Sequence, residues 1–139
     1  MKTFKTKFAI LAGTDYKEIN KKAFGFYNQI RRKTKRRPYV RSAYFKKDKI
    51  FLGLFWSHLN GKNRWDRMRR MKFFNCAIEL IEHSKFEPTS KENPNKPTEI
   101  LHRFAGITKN NDLFFVQIKE EKRTGEKWLL SVFPIERSK

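Results

Sequence analysis

Cysteine is almost missing from this chain: Cys76 is the single one in 139 residues. That rules out an internal disulfide framework and leaves no cysteine cluster to hold zinc. No apolar run approaches the length of a membrane span, and the basic start lacks the apolar stretch and cleavage site of a secretory signal. These absences fit a reducing, cytoplasmic setting with no membrane partner. A glycine-rich phosphate loop, a Rossmann fingerprint and a zinc ligand set are also absent. Acids are scarce where a metal-dependent nuclease would need paired carboxylates, with only Asp15, Glu18, Asp48 and Asp66 in residues 1–75. No metal or cofactor is expected.

Positive charge is what the chain has in excess. It carries 33 Lys and Arg against 14 Asp and Glu, a formal +19. The excess is lopsided: residues 1–75 hold 22 bases against 4 acids, and residues 76–139 hold 11 against 10. A field so localised favours polyanions through counterion release and steers them in quickly, which makes nucleic acid the expected partner. An anionic membrane surface, or solubility alone, is the plainer explanation of the same charge.

Aromatics, 15% of the residues, supply the material for a core. The stretch from Glu99 to Pro134 reads as three strands, Glu99–Thr108, Leu113–Glu120 and Lys127–Phe133, separated by turn clusters at Lys109–Asp112 and Lys122–Glu126. Period-2 alternation puts His102 on one side of the first strand and Arg103 on the other. Gln117 and Lys119 share a side of the second strand, and Ser131 lies in phase with Leu129 and Phe133 in the third. The plain reading of these polar residues is a solvated sheet face.

Upstream, Ile19, Ala23, Phe26, Tyr27 and Ile30 predict an amphipathic helix from Asp15 to about Lys33. A basic run containing Arg31, Arg32, Arg36 and Arg37 follows, closed by Pro38; beside Tyr39 and Tyr44 it suits phosphate contacts and stacking. Met1–Gly13 reads equally as a short strand or a loosely held arm, and Tyr39–Phe45 as a strand or a connector. A second helical pattern covers Ile50, Leu52, Phe55, Trp56 and Leu59, with His58 near its end and Asn60-Gly61 as its stop. A third runs from Arg64 to about Ser84, with Arg64, Arg67, Arg69 and Arg70 crowding its first half. Bases there oppose the helix dipole, so a partner phosphate explains them better than helix stability does. Phe86–Pro97 reads as a loop. Trp56, Trp65 and Trp128 sit in apolar periodicity and read as core, and His83 as a residue of a helix end.

The expected fold is α+β: two or three amino-terminal helices packed on a carboxy-terminal antiparallel meander of three or four strands. One face of the meander meets the helices and the other forms a basic cleft. Residues 1–38 would be a basic arm and helix, and residues 39–139 the α+β unit. The inventory of His, Arg, Lys, Gln and Ser suits metal-free cleavage of RNA, in which the 2′-hydroxyl attacks the adjacent phosphorus.

These residues also carry a resemblance. An Arg-rich helical half with Ser57-His58-Leu59, followed by His102-Arg103-Phe104, Phe114 to Lys119 and Ser131-Val132-Phe133-Pro134, resembles the superfamily of barnase, EndoU, colicin D and RelE-like nucleases. It is most similar to the phage-associated members, over about Tyr39 to Pro134. The resemblance implies His58 and His102 as acid–base residues, Arg103 and Lys119 as phosphate clamps, and Ser131 as a hydroxyl donor. Ser131 stands where threonine is common in that group. Because His102 and Arg103 point to opposite faces, one of them should be structural unless a bulge intervenes, and His102 is the favoured catalyst. The expected activity is a metal-independent RNA endonuclease, toxin-like or phage-associated, with Arg31, Arg32, Arg36, Arg37, Arg64, Arg67, Arg69, Arg70 and Gln117 binding the nucleic acid. The alternatives are a non-catalytic RNA- or DNA-binding protein and a protein whose field serves an acidic antitoxin or immunity partner.

Overall fold

Alternation of large apolar residues with polar ones makes half-buried strands, and strands of this kind need a covered face. The computed structural model describes residues 2–135. In chain order its elements are β1 (Thr3–Lys5), α1 (Tyr16–Lys33), β2 (Tyr39–Arg41), β3 (Lys49–Phe51), α2 (Gly53–Leu59), α3 (Arg64–Met71), α4 (Phe74–His83), β4 (Thr89–Asn93), β5 (Lys96–Ile107), β6 (Leu113–Glu121) and β7 (Lys127–Pro134).

The expected meander is present as β5, β6 and β7, but it is only the middle of the sheet. Seven strands run in the order β1-β5-β6-β7-β3-β2, with β4 also paired to β5. The sheet is mixed, because β1 joins β5 and β3 joins β7 in parallel. Four helices accompany it among the described residues. The expectation of three or four antiparallel strands under two or three helices is therefore corrected. The extra strands are three to five residues long, too short to register as alternation in the sequence.

Several local expectations change for the same reason. Ile50 faces the core from a strand, and the second helix begins only at Gly53. The long third helix is two, broken at Lys72 and Phe73. Arg69 and Arg70 thus lie in the last turn of α3, where the helix dipole favours them, rather than at a helix start. The stretch read as a loop after Phe86 holds β4 and the start of β5.

The amino-terminal segment is stitched into the fold. Lys7 and Phe8 donate their backbone N–H groups to the buried Glu79 carboxylate at 2.7 and 3.0 Å. Ile19, Ala23 and Tyr27 of α1 join Leu80, Phe114 and Val132 in one buried cluster. Gly106 permits a close approach of β5 to α4 and to the Phe114 ring: a Cβ there would stand 2.5 Å from the ring and 2.8 Å from Leu80 Cδ1.

Helices cover the face carrying Phe104, Phe114, Val116, Ile118, Leu129 and Val132, all buried. Between Gln117 and Ile118 the β6–β7 register shifts: Gln117 pairs with Ser131, but Ile118 pairs with Leu129. Leu130 is the bulged residue. The bulge overturns the expected phase of β7, sending Leu129 to the core while Ser131 stays with Phe133 on the other face. Because β3 pairs only with Lys127 and Trp128, α2 and α3 can pack against β7 and bring their side chains to it.

Candidate nucleic-acid interface

The face of the sheet turned away from the core carries a transverse polar row. Arg103, Gln117 and Ser131 are cross-strand partners on β5, β6 and β7, so their side chains line up on one side. Arg103 Nη2 donates to Gln117 Oε1 at 3.3 Å, and its guanidinium lies 5.2 and 5.3 Å from the Phe115 and Phe133 ring centres. Arg103 Nε and Nη1 have no hydrogen-bond partner among the described residues.

Arg70 of α3 closes the row. Its Nη1 donates to Ser131 Oγ at 2.8 Å and to the Val132 carbonyl at 3.3 Å, and its Nε donates to Asp66 at 3.3 Å. A guanidinium held on three sides is a fixed donor rather than a roaming charge. Asp66 orients Arg69 as well, at 3.1 Å. Burial works to raise the Asp66 carboxyl, but its hydrogen bonds and charge contacts with Arg69 and Arg70 more than offset that and leave it below its ordinary value.

His58 stands exposed in the last turn of α2, within reach of the Arg70 charge. Partial desolvation of the ring, then the charges of Lys62 and Arg70, lower its pKa. The imidazole is therefore neutral at neutral pH and able to take up a proton.

One strand row away, Lys119 lies 4.8 Å over the Trp128 ring and 3.2 Å from Glu99 Oε2. Burial works to raise the Glu99 carboxyl, but the Asn93 amide and the Lys119 and Lys96 ammonium groups hold it below its ordinary value. This pairing makes Lys119 a neighbour of the polar row rather than a member of it.

His102, the favoured catalyst from sequence, points to the opposite, helix-covered face. Its Nδ1 stands 2.6 Å from Ser90 Oγ and its Nε2 2.7 Å from Glu120 Oε1, with the Phe45 ring packed at 5.0 Å. Glu120 in turn neighbours the buried Lys127 at 3.8 Å, which is 2.8 Å from Asp48. Both imidazole nitrogens are engaged inside the fold. No bulge in β5 brings His102 and Arg103 onto one face, so of that pair the open face carries Arg103.

The remaining arginines named from sequence fall into three sets. Arg64 and Arg67 stack on Tyr16 at 4.4 and 5.4 Å. Arg31, Arg32 and Arg36 line an open concavity of about 420 Å³ at the end of α1. Arg37 lies 3.9 Å over the Phe51 ring and forks onto Glu126 at 3.1 and 3.4 Å. Among the aromatics, Tyr44 packs on Phe104 and belongs to the core, as does the half-buried Trp56. Trp65 is 66% exposed on α3, and Trp128 faces away from the core, so neither is the core residue that periodicity suggested.

The structure thus brings Arg70, Arg103, Gln117 and Ser131 together, leaves His58 exposed on α2 within the field of Arg70, and separates His102 from them. Sequence reasoning named these residues but not the role of Asp66, nor that of Phe115 and Phe133 beneath the Arg103 guanidinium. Alternation could have found the two phenylalanines. Nothing local ties Arg70 to Ser131, which are 61 residues apart.

No family model matches the sequence, and neither a curated protein nor a solved structure does. The resemblance to the ribonuclease superfamily rests on the residues quoted for it. Among the described residues no three His, Cys, Asp or Glu side chains cluster as a metal site, and no helix is long and apolar enough to cross a membrane.

Proposed function

We propose that the open face of the sheet binds RNA at a phosphodiester and cleaves it by transesterification at the 2′-hydroxyl, without a metal ion. The row Arg103–Gln117–Ser131–Arg70, with the exposed His58 imidazole of α2 in the field of Arg70, carries this reading. Two guanidiniums bonded to opposite ends of one row suit the non-bridging oxygens of a phosphate. Neutral His58 takes the 2′-hydroxyl proton. The 2′-oxygen bonds to phosphorus, the bond to the 5′-oxygen breaks, and that oxygen takes a proton from water. The products are a 2′,3′-cyclic phosphate and a free 5′-hydroxyl.

The purified chain in excess chelator should convert single-stranded RNA to fragments with cyclic phosphate ends. His58→Ala should slow this at least about 100-fold, the usual worth of a general base. Intact RNA after incubation with the wild-type chain, or full activity in His58→Ala, would overturn the proposal.

A second reading has its own observation. With His102 sealed in the core, one imidazole remains at the site, where acid–base cleavage ordinarily uses a pair of proton-transfer groups. A non-catalytic RNA- or DNA-binding protein needs only the cations and the rings. Binding with a steep salt dependence and no cleavage would select it.

A further inference from the structure

A second transverse row crosses the same open face beside the first. Lys119 pairs with Trp128, Trp128 with Phe51, and Phe51 with Tyr39, so the four side chains follow one another across β6, β7, β3 and β2 on one side. At an interstrand spacing of about 4.8 Å, the three rings span roughly 10 Å. All three are half-buried rather than sealed. Each has a cation against it: Lys119 at Trp128, Arg37 over Phe51 and Lys49 4.8 Å from Tyr39. Phe51 and Tyr39 line a concavity of about 550 Å³ whose other walls are mainly lysine and arginine from the α1–β2 connection.

Rings on a sheet surface, each beside a positive charge, make a poor outer surface for a folded domain. They leave apolar area half wet, although Glu99 and Glu126 pair with Lys119 and Arg37. The same arrangement suits a strand of unpaired nucleotides, whose bases stack on rings or guanidinium planes while the cations meet its phosphates. A duplex hides its base faces and offers its phosphates and minor-groove groups instead.

We propose that the row Trp128–Phe51–Tyr39 is a stacking track for single-stranded RNA, leading from the phosphodiester site at Ser131 to the basic concavity beyond β2. It rests on the RNA-cleavage reading for its substrate and narrows that substrate to unpaired RNA. Arg37 lies over Phe51, pairs with Glu126 and keeps its side chain 58% exposed, so its plane extends the track.

A fluorescent 2′-O-methyl-uridine decamer tests the track separately from cleavage, since it has no 2′-hydroxyl to attack. Its affinity for the wild-type chain is compared with that of the same strand annealed to a 2′-O-methyl-adenosine decamer. The single strand should bind more tightly, and Phe51→Leu should weaken it about tenfold, the loss of one base stack, while duplex binding changes little. Equal losses on both ligands, or none on either, would overturn the track even if RNA is cleaved. Should Phe51→Leu fail to fold, photocrosslinking of a 4-thiouridine-containing 2′-O-methyl strand to the wild-type chain decides. Adducts at Trp128, Phe51 or Tyr39 support the track, and adducts confined to other residues exclude it.

Discussion

His102 and Arg103 are neighbours in one strand, and their surroundings differ completely. His102 is buried on the core side of the sheet, where Ser90 and Glu120 engage both ring nitrogens and Phe45 of the β2–β3 connection packs against it. Arg103 faces outward, makes one hydrogen bond to Gln117 and keeps two nitrogens without partners among the described residues. A polar residue in an aromatic strand is thus no signal of function in itself. A side chain whose donors are all used inside the fold stabilises it, and one with donors to spare on an accessible face can bind something else.

The contrast is most exposed to test at Arg70, which joins Asp66 to Ser131 across two elements. Arg70→Ala should lower RNA cleavage about 100- to 1,000-fold, as loss of a preorganised donor to a developing charge does. Its unfolding midpoint in urea should fall only modestly, for the loss of the bonds to Asp66, Ser131 and Val132. A large midpoint shift with an unchanged rate would make Arg70 a structural brace.

His102→Ala should do the reverse. It leaves Ser90 and Glu120 without their partner, at a cost of about 2 kcal/mol read from urea unfolding. The cleavage rate per folded molecule should stay at the wild-type value. A rate collapse in a fully folded variant would place His102 in the chemistry after all.

Arg103→Lys keeps the charge but loses the planar fork over Phe115 and Phe133. About a tenfold loss in cleavage is expected, because an ammonium replaces donors set in one plane. An unchanged rate would show that Arg103 acts only as a point charge.

The smallest effect concerns pH. The pKa of His58 is lowered in the fold, so the unfolded chain binds more protons over the window between the folded and ordinary values. The proton linkage of His58 therefore favours folding above the ordinary histidine value, and that stability is lost as pH falls through the lowered one. Activity that needs the neutral ring should likewise persist below the ordinary value. An acid limb of the rate profile centred at or above about 6.5 would contradict this.

Much of this was legible in the chain, and the rest was hidden for identifiable reasons. Alternation placed β5, β6 and β7 and put His102 and Arg103 on opposite faces, because side-chain direction in a strand depends only on parity. It failed in β7, where the bulge at Leu130 resets the phase and returns Leu129 to the core. It left β1 and β2 undecided between strand and connector and missed β3 and β4, because so few residues carry too little pattern to be told from loops. The arginines of residues 64–70 were visible, but their position at the end of a short helix depended on a break at Lys72–Phe73 that no glycine or proline marks.

Charge distribution, the apolar material of the core and the three long strands follow from residue types and their spacing, which act locally. Which histidine stands at the candidate site does not. That choice came from pairing over long separations: β3 covering only the start of β7 and leaving room for α2 and α3, and Arg70 reaching Ser131. Cross-strand register and helix docking are set by the burial of the whole core at once, so no single stretch of residues contains them.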